Sequence, residues 1–119
     1  MTANKMLPRP SAHIAAEVDG ISKDGIMVVG GAFASGTVLG KLNDGNYTQL
    51  DVTADATEAN EAEVVLYGHV DATDGPVRAV AHARVCALYD DKLTWPDAIT
   101  EDQKNAAVAK LTENHIVLR

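Results

Sequence analysis

The chain has 119 residues and carries 10 Lys and Arg against 17 Asp and Glu, a formal charge of −7 at pH 7. A domain of this length buries roughly two-thirds of the surface that its unfolded chain exposes, so we expect one domain with a modest core. The basic residues are scattered, and one Phe, three Tyr and one Trp are the only aromatic residues. The chain therefore has no cluster of basic residues to neutralise phosphates and few aromatic residues on which bases could stack. We accordingly do not expect nucleic acid as a partner.

The cysteine count and the hydropathy of the chain further restrict the kinds of site and the cellular compartment that we expect. Cys86 is the single cysteine, which excludes a disulfide framework and a thiolate metal cage, and we expect an inert, partly buried thiol there. No stretch approaches the roughly 20 apolar residues of a membrane span, and the first residues lack the apolar run of a signal peptide. The sequence predicts a protein made in a reducing cytoplasm, with no membrane partner.

The first residues are predicted to form a flexible N-terminal arm, residues 1–17, in front of a domain that spans residues 18–119. Pro8 and Pro10 disfavour a helix, and little near them could anchor a fold. In an extended strand successive N–H groups point to alternate edges, so these two prolines remove donors from one edge. The other edge keeps the donors of Leu7, Arg9 and Ser11. Such an arm can add to the sheet edge of a partner while refusing a second strand; polyproline-like docking is the alternative.

Short strands separated by turn residues are predicted in the first half of the domain. Residues 25–29 form a compact apolar run that is typical of a buried strand. Residues 37–42 form a second strand, and the turn signal at residues 43–46 makes residues 47–52 its hairpin partner. Residues 53–63 are predicted to be a solvated acidic loop.

The clearest strands are residues 64–72 and 77–89, joined by a turn at residues 73–76. In the second of them, seven residues at period two are predicted to share the buried face: Val77, Ala79, Ala81, Ala83, Val85, Ala87 and Tyr89. The opposite, partly wet face carries Arg78, His82 and Arg84. Because four of the inward residues are alanines, this face indicates a tight wall or a closely approaching neighbour rather than a ligand cavity.

One short helix is predicted near the end of the chain. Thr100 and Gln103 have the spacing of a capping box, in which the Thr hydroxyl accepts from the Gln amide while the Gln side chain reaches back. Asn114 is expected to end the helix in a left-handed conformation, and residues 116–118 have strand chemistry.

No catalytic, metal-ligating or cofactor-binding residue can be assigned. Gly36 and Gly40 invite comparison with a phosphate-binding loop, but their spacing is one residue short and Leu42 stands where the magnesium-binding hydroxyl belongs. The four histidines have no second ligand at a metal-binding spacing: His13, His69, His82 and His115. We expect His69 and His82 to form a cross-strand pair instead. A hydrolytic enzyme would need a polar constellation that the sequence does not offer.

Two stretches carry a resemblance to a known family. The first is Leu93-Thr94-Trp95-Pro96, followed by an acidic helix start, a short Ala-rich helix and a terminal Ile-Val-Leu; the second is Gly36-Thr37-Val38-Leu39-Gly40. From about residue 34 to residue 119 the chain resembles the head decoration proteins of lambda-like tailed phages. The resemblance implies a small, mainly β domain of the β-clip type, with a short C-terminal helix and a flexible N-terminal arm, and it implies no reaction and no cofactor.

The resemblance also implies partners. Three copies would sit around local three-fold positions on the outside of the expanded capsid, where the arm would become ordered by pairing with the major capsid protein. The expected locations are the host cytoplasm during assembly and then the virion exterior. The candidate capsid-binding residues are Leu7, Pro8, Arg9, Pro10, Ser11 and Ile14. Trp95 and Pro96 are candidates for the trimer contact, although Trp95 could instead cover the end of the helix or the sheet. The rival function is a small-molecule-binding β-barrel domain without catalysis.

Overall fold

A computed structural model describes residues 11–53 and 56–119 of the chain. Ten strands and one helix lie within this described part, together with a single 3-10 turn at Asp90–Lys92. The elements in chain order are β1 (Ile14–Glu17), β2 (Lys23–Val28), β3 (Ala32–Phe33), β4 (Val38–Lys41), β5 (Tyr47–Gln49), β6 (Val64–Tyr67), β7 (Val70–Asp71), β8 (Val77–His82), β9 (Cys86–Leu88), α1 (Glu101–Glu113) and β10 (Ile116–Leu118). The prediction of a mainly β domain with a short C-terminal helix is confirmed.

Five strands close into a barrel in the order β2-β5-β4-β6-β8. The predicted hairpin is confirmed, because β4 pairs antiparallel with β5 across the turn that the sequence marks. Apolar side chains fill the barrel interior: Ile26, Val28, Leu39, Val64, Leu66, Ala72 and Ala81. Val77, Ala79 and Ala83 pack against this group as the period-two pattern predicts. The barrel thus has a solid core built from its own strands.

Three further strands form an open sheet in the order β1-β9-β10. The central strand β9 is antiparallel to β1 and parallel to β10. The inner face of this sheet packs with α1 around a second core that includes Cys86, Leu88, Leu111 and Ile116. Strand β1 lies within the segment 1–17 that the sequence assigns to the arm, and the position at which the arm gives way to the domain stays a prediction.

The two long strands predicted at residues 64–72 and 77–89 are each broken in the structure. The first divides into β6 and β7 at Gly68, which has a φ of +92°. The second divides into β8 and β9 beside Val85, whose φ of +49° turns the chain out of the barrel and into the open sheet. The prediction that Val85 and Tyr89 face inward is therefore wrong, and their side chains are 41% and 43% exposed.

His82 departs from its predicted environment for a related reason. It does lie on the outer face of β8, opposite the alanines, as predicted, yet its side chain is fully buried. Strand β1 and the residue before it, His13, cover this part of the barrel's outer surface. The wet face expected for His82 is thus occupied by a segment that comes from more than 60 residues earlier in the chain.

The helix begins as predicted, but the left-handed residue that follows it lies one position later than predicted. Thr100 Oγ1 accepts from the Gln103 amide at 3.2 Å, and the Gln103 side chain accepts from the Thr100 amide at 2.9 Å. The same Gln103 side chain also donates to the Val52 carbonyl oxygen at 3.0 Å, which ties the helix start to the preceding loop. Asn114 has a φ of −91°, and the left-handed residue is His115 with a φ of +62°.

Candidate interaction surfaces

The glycine motif and the tryptophan motif, which carry the family resemblance, lie side by side. The Thr94 amide donates to the Gly36 carbonyl oxygen at 2.9 Å, and the Val38 amide donates to the Thr94 carbonyl oxygen at 3.1 Å. This pairing extends the start of β4 parallel to the segment that precedes α1. The glycines therefore serve the backbone of a strand, and the comparison with a phosphate-binding loop fails on structure as well as on spacing.

Gly40 shows why one of these positions excludes a side chain. A Cβ atom built there would lie 2.4 Å from the carbonyl oxygen of Ala59 and 2.7 Å from its Cα. The Ala59 amide donates to the Lys41 carbonyl oxygen at 3.0 Å, so the two backbones are held together. The acidic loop is consequently packed against the barrel wall, and only part of it is solvated as predicted.

Most of the candidate capsid-binding residues, Leu7 to Pro10, lie outside the described residues. Ser11 and Ile14 are described, and the Ile14 amide donates to the Ser11 carbonyl oxygen at 3.0 Å in a turn that leads into β1. Ile14 lies opposite Leu88 in the open sheet and packs against the second core. A role of these residues in binding a capsid is not tested by this geometry and stays a prediction.

A partly buried hydrogen bond joins β1 to the barrel. His82 Nε2 lies 2.9 Å from Glu17 Oε1, and the His82 ring makes edge contacts with the rings of His13 and Tyr67 at centroid distances of 5.2 and 5.7 Å. The pairing of β6 with β8 sets His82 opposite Val65. The cross-strand pair expected between His82 and His69 is thus replaced by a cluster with His13 and Tyr67, because the strand that contains His69 is broken at Gly68.

The electrostatics of this cluster favour a neutral imidazole. Burial lowers the pKa of His82, and the hydrogen bond with Glu17 offsets this only in part. Burial acts to raise the pKa of Glu17, but the hydrogen bond with His82 and the charge of Lys23 together bring it below its usual range. Lys23 Nζ lies 3.4 Å from Glu17 Oε1 and 4.1 Å from the centre of the Tyr67 ring. The carboxylate therefore already has a cationic partner, and a charged His82 would add a second cation in a buried place.

Trp95 is engaged within the domain itself. Its Nε1 donates to Asp90 Oδ1 at 3.2 Å, and Lys104 Nζ lies 5.2 Å from the indole ring centre. The ring is half-buried and packs against the second core. The alternative in which Trp95 covers the end of the helix is thus realised, while a further role for Trp95 and Pro96 as a subunit contact remains a prediction.

The outward face of the open sheet carries exposed apolar side chains that the sequence pattern does not predict there. Pairing places Ala16, Ala87 and Val117 in one row across the three strands. Tyr89 follows two residues after Ala87, and Val18 two residues after Ala16. The name outer sheet face is used below for six residues. Val85, which directly precedes β9, is one of them, and the other five are Ala16, Val18, Ala87, Tyr89 and Val117. The available signal is the period-two pattern of residues 85–89, whose members Val85 and Tyr89 are exposed because the chain turns at Val85, while Ala87 between them is buried as predicted.

Little else in the described residues suggests reaction chemistry. Cys86 lies on the inner face of the open sheet, and burial raises the pKa of its thiol to about 11, as expected of an inert cysteine. Across residues 11–53 and 56–119, no three His, Cys, Asp or Glu side chains gather as metal ligands. The described helix α1 is too short and too polar to cross a membrane.

Comparison with known proteins identifies the kind of molecule that has this architecture. The family model described as "Bacteriophage lambda head decoration protein D" matches residues 5–116. The matched range includes the barrel, both motifs and α1. No curated protein matches the chain.

Proposed function

Because the chain belongs to the family of bacteriophage lambda head decoration proteins, we propose that it binds the expanded phage head from outside, as trimers at the three-fold positions. Bound there, it stabilises the head after DNA has been packaged, and its partner in the shell is the major capsid protein. The observation that carries this proposal is the family match, which spans residues 5–116. Membership of a head decoration family supports a structural role at the capsid exterior.

The arm supplies the attachment. Its pairing edge holds the amide donors of Leu7, Arg9 and Ser11, while the edge with Pro8 and Pro10 refuses a second strand. Ordering about ten residues costs on the order of 10–20 kcal/mol of backbone entropy. The arm therefore binds only where the shell offers a full ladder of hydrogen bonds and some apolar burial, which makes attachment depend on the state of the shell.

The role is structural and includes no catalysis. Cys86, the strongest nucleophile in the sequence, has its thiol buried and its pKa raised to about 11, so the reactive thiolate is scarce. The rival function, a small-molecule-binding barrel, needs a roomy apolar interior, whereas Leu39, Leu66 and Ala81 fill the interior of this barrel. The protein is made in the host cytoplasm during assembly and ends on the virion exterior.

The decisive experiment compares expanded and unexpanded shells of the cognate phage. Purified protein is mixed with each form, the shells are sedimented, and the bound protein is counted. We expect saturable binding to expanded shells and none to unexpanded ones, with bound shells more resistant to chelators and to mechanical stress. Equal binding to both forms, or binding to neither, would contradict the proposal.

A further inference from the structure

The outer sheet face is the largest concentration of exposed apolar side chains in the described residues. Seven large hydrophobic side chains are exposed in the described residues as a whole. Four of the seven belong to this face: Val18, Val85, Tyr89 and Val117. Ala16, which is exposed, and Ala87, which is 8% exposed, lie between them, and each has only a methyl side chain. Contiguous apolar surface of this kind marks an interaction site more often than scattered apolar residues do.

The face is held rigidly at one end. Ser22 Oγ accepts from the Val18 amide at 2.8 Å and donates to the Val85 carbonyl oxygen at 2.6 Å, which joins the β1 end to the β9 start. Val85 is a β-branched residue with a φ of +49°, a backbone conformation that such residues rarely adopt. The surrounding structure, including the Ser22 hydroxyl, imposes this backbone conformation, and it directs the exposed Val85 side chain toward solvent, where another molecule can contact it.

Charge distinguishes this face from the rest of the molecule. The chain has a formal charge of −7, so two copies repel each other over most of their surfaces. Every side chain of the outer sheet face is uncharged. The neighbouring carboxylate of Glu17 points the other way, toward His82 at 2.9 Å. Asp19 and Arg119, both exposed, border the face with charges of opposite sign, since Asp19 follows Val18 and Arg119 comes two residues after Val117. An acidic molecule such as a second copy of this chain therefore meets less like charge here than over a surface with the average charge of the chain.

Size determines when such a contact can form. The face consists of six side chains, whereas a specific and stable interface buries about 800 Å² on each partner and uses about 20 to 30 residues. A contact of this size cannot hold two free copies together. It becomes significant when another attachment, such as an arm bound to the shell, keeps copies side by side at a high effective concentration.

From these observations we infer that the outer sheet face is the contact between neighbouring copies of this protein on the phage head. The inference rests on the proposed attachment to the shell and assigns the copy-to-copy contact to Val85, Tyr89 and Val117. The small residues Ala16 and Ala87 allow close approach of the neighbour, and the larger side chains around them exclude water. Trp95, which packs within its own domain, is not required for this contact.

Photo-crosslinking tests which molecule covers the face. Tyr89 is replaced by p-benzoylphenylalanine, a substitution that keeps an aromatic side chain, and the matched control carries the same residue at Val80. Val80 is 40% exposed, as Tyr89 is at 43%, but it lies on the outer surface of the barrel. Both proteins are bound to expanded shells at saturation and irradiated, and the products are sized and identified by mass spectrometry.

We expect a product of twice the chain's mass from position 89 and not from position 80. Adducts of position 89 with the major capsid protein would overturn the inference, as would equal copy-to-copy products from both positions. Absence of any product at position 89 on fully occupied shells would overturn it too. If neither protein binds shells, the proposed function fails, and the contact is then tested by irradiating free protein at a concentration high enough to replace crowding on the shell. A product of twice the chain's mass from position 89 and not from position 80 would support the inference, and its absence would overturn it.

A second variant reports on the energetics. Val117→Asp places a carboxylate in the middle of the face, and Val80→Asp is its control. We expect Val117→Asp to raise the concentration for half-occupancy of shells by about tenfold and to abolish cooperative binding, with thermal unfolding unchanged. Equal effects of the two substitutions would show that the face has no special role.

Discussion

The closed barrel and the open sheet of this domain solve the problem of strand edges in opposite ways. In the barrel each of the five strands pairs on both sides, and the apolar side chains point into a core that the strands themselves enclose. In the open sheet only β9 has two neighbours, and one face of the sheet lies against α1 while the other remains exposed. The barrel is complete as an isolated unit, whereas the sheet offers an apolar face and two edge strands to other molecules.

The barrel half of this comparison predicts intolerance to added volume in its wall. Gly40→Ala places a Cβ atom 2.4 Å from the Ala59 carbonyl oxygen, and both backbones are fixed by hydrogen bonds. We expect the free energy of unfolding to fall by about 3 kcal/mol, because overpacking of this kind forces the backbone to shift. Chemical denaturation measures the loss.

The matched control is Gly25→Ala on β2. There the nearest atom to the added Cβ is the flexible end of Arg78 at 3.5 Å, so the substitution should change stability little. Similar losses at both positions would mean that the close approach at Gly40 is relaxed in solution.

The open sheet, whose first strand β1 follows the arm, leads to a prediction about binding. Removing the arm should weaken binding to expanded shells while the domain stays folded. Deletion of residues 1–10 removes two of the three amide donors of the pairing edge, Leu7 and Arg9, and leaves β1 in place. At about 1 kcal/mol for each ladder hydrogen bond, and with the apolar contacts of the arm also lost, we expect binding to expanded shells to weaken by about 100-fold. Circular dichroism and thermal unfolding should remain those of the full chain.

Point substitutions within the arm give a sharper form of this test. Arg9→Pro removes a donor from the pairing edge and leaves an acceptor on the shell unsatisfied, at a cost of about 1–3 kcal/mol. Pro8→Ala restores a donor on the opposite edge and should change binding little. If Pro8→Ala weakens binding as much as Arg9→Pro does, and both proteins melt normally, the arm does not bind as a strand with one pairing edge.

The junction between the two regions predicts a smaller effect, which depends on pH. The pKa of His82 is lowered by burial in the folded protein, so the unfolded chain binds the proton more tightly. The His82 contribution to stability is therefore complete above the ordinary histidine pKa of 6.5, and it falls as the pH decreases from there toward the lowered pKa of the folded state. Hydrogen exchange of the β1 amides, measured from pH 8 to pH 5, should show increasing opening as the pH falls.

His82→Gln should remove most of this slope, because the amide can still donate to Glu17 and does not titrate. His115→Gln, at an exposed position outside the cluster, is the control and should retain the slope of the unmodified chain. An unchanged slope in His82→Gln would assign the pH dependence to other groups, and Glu17 itself contributes only at lower pH because its pKa is also lowered.

Features with local signals could be predicted from the sequence. The β4–β5 hairpin follows from the turn residues between its strands, and the helix start follows from Thr100 and Gln103, three residues apart. The break at Val85 could not be predicted in this way, because glycine or asparagine is the usual residue at a positive φ and valine is a strand former. This one residue decides which half of the 77–89 pattern lines the barrel and which half faces outward.

Contacts between segments that are distant in the sequence could not be predicted, for a different reason. The hydrogen bond between His82 and Glu17 joins residues 65 positions apart, and no local pattern specifies that β1 crosses the outer surface of the barrel. The family resemblance supplied the fold class and the kind of partner, since its motifs are short backbone features that are found again at Gly36 and Thr94. It did not indicate which surfaces of the domain would contact other molecules.

The position of Cys86 has a consequence for the lifetime of a decorated head. In the proposed role, many copies of the chain, each with a single thiol, would lie together on one shell in an oxidising medium outside the cell. With a pKa of about 11, roughly one thiol in ten thousand is ionised near pH 7, and the side chain faces the core beneath the open sheet. Disulfide exchange and peroxide attack both require an accessible thiolate. The packing that holds β9 in place would thus also protect the thiols of a decorated head against oxidation and disulfide exchange.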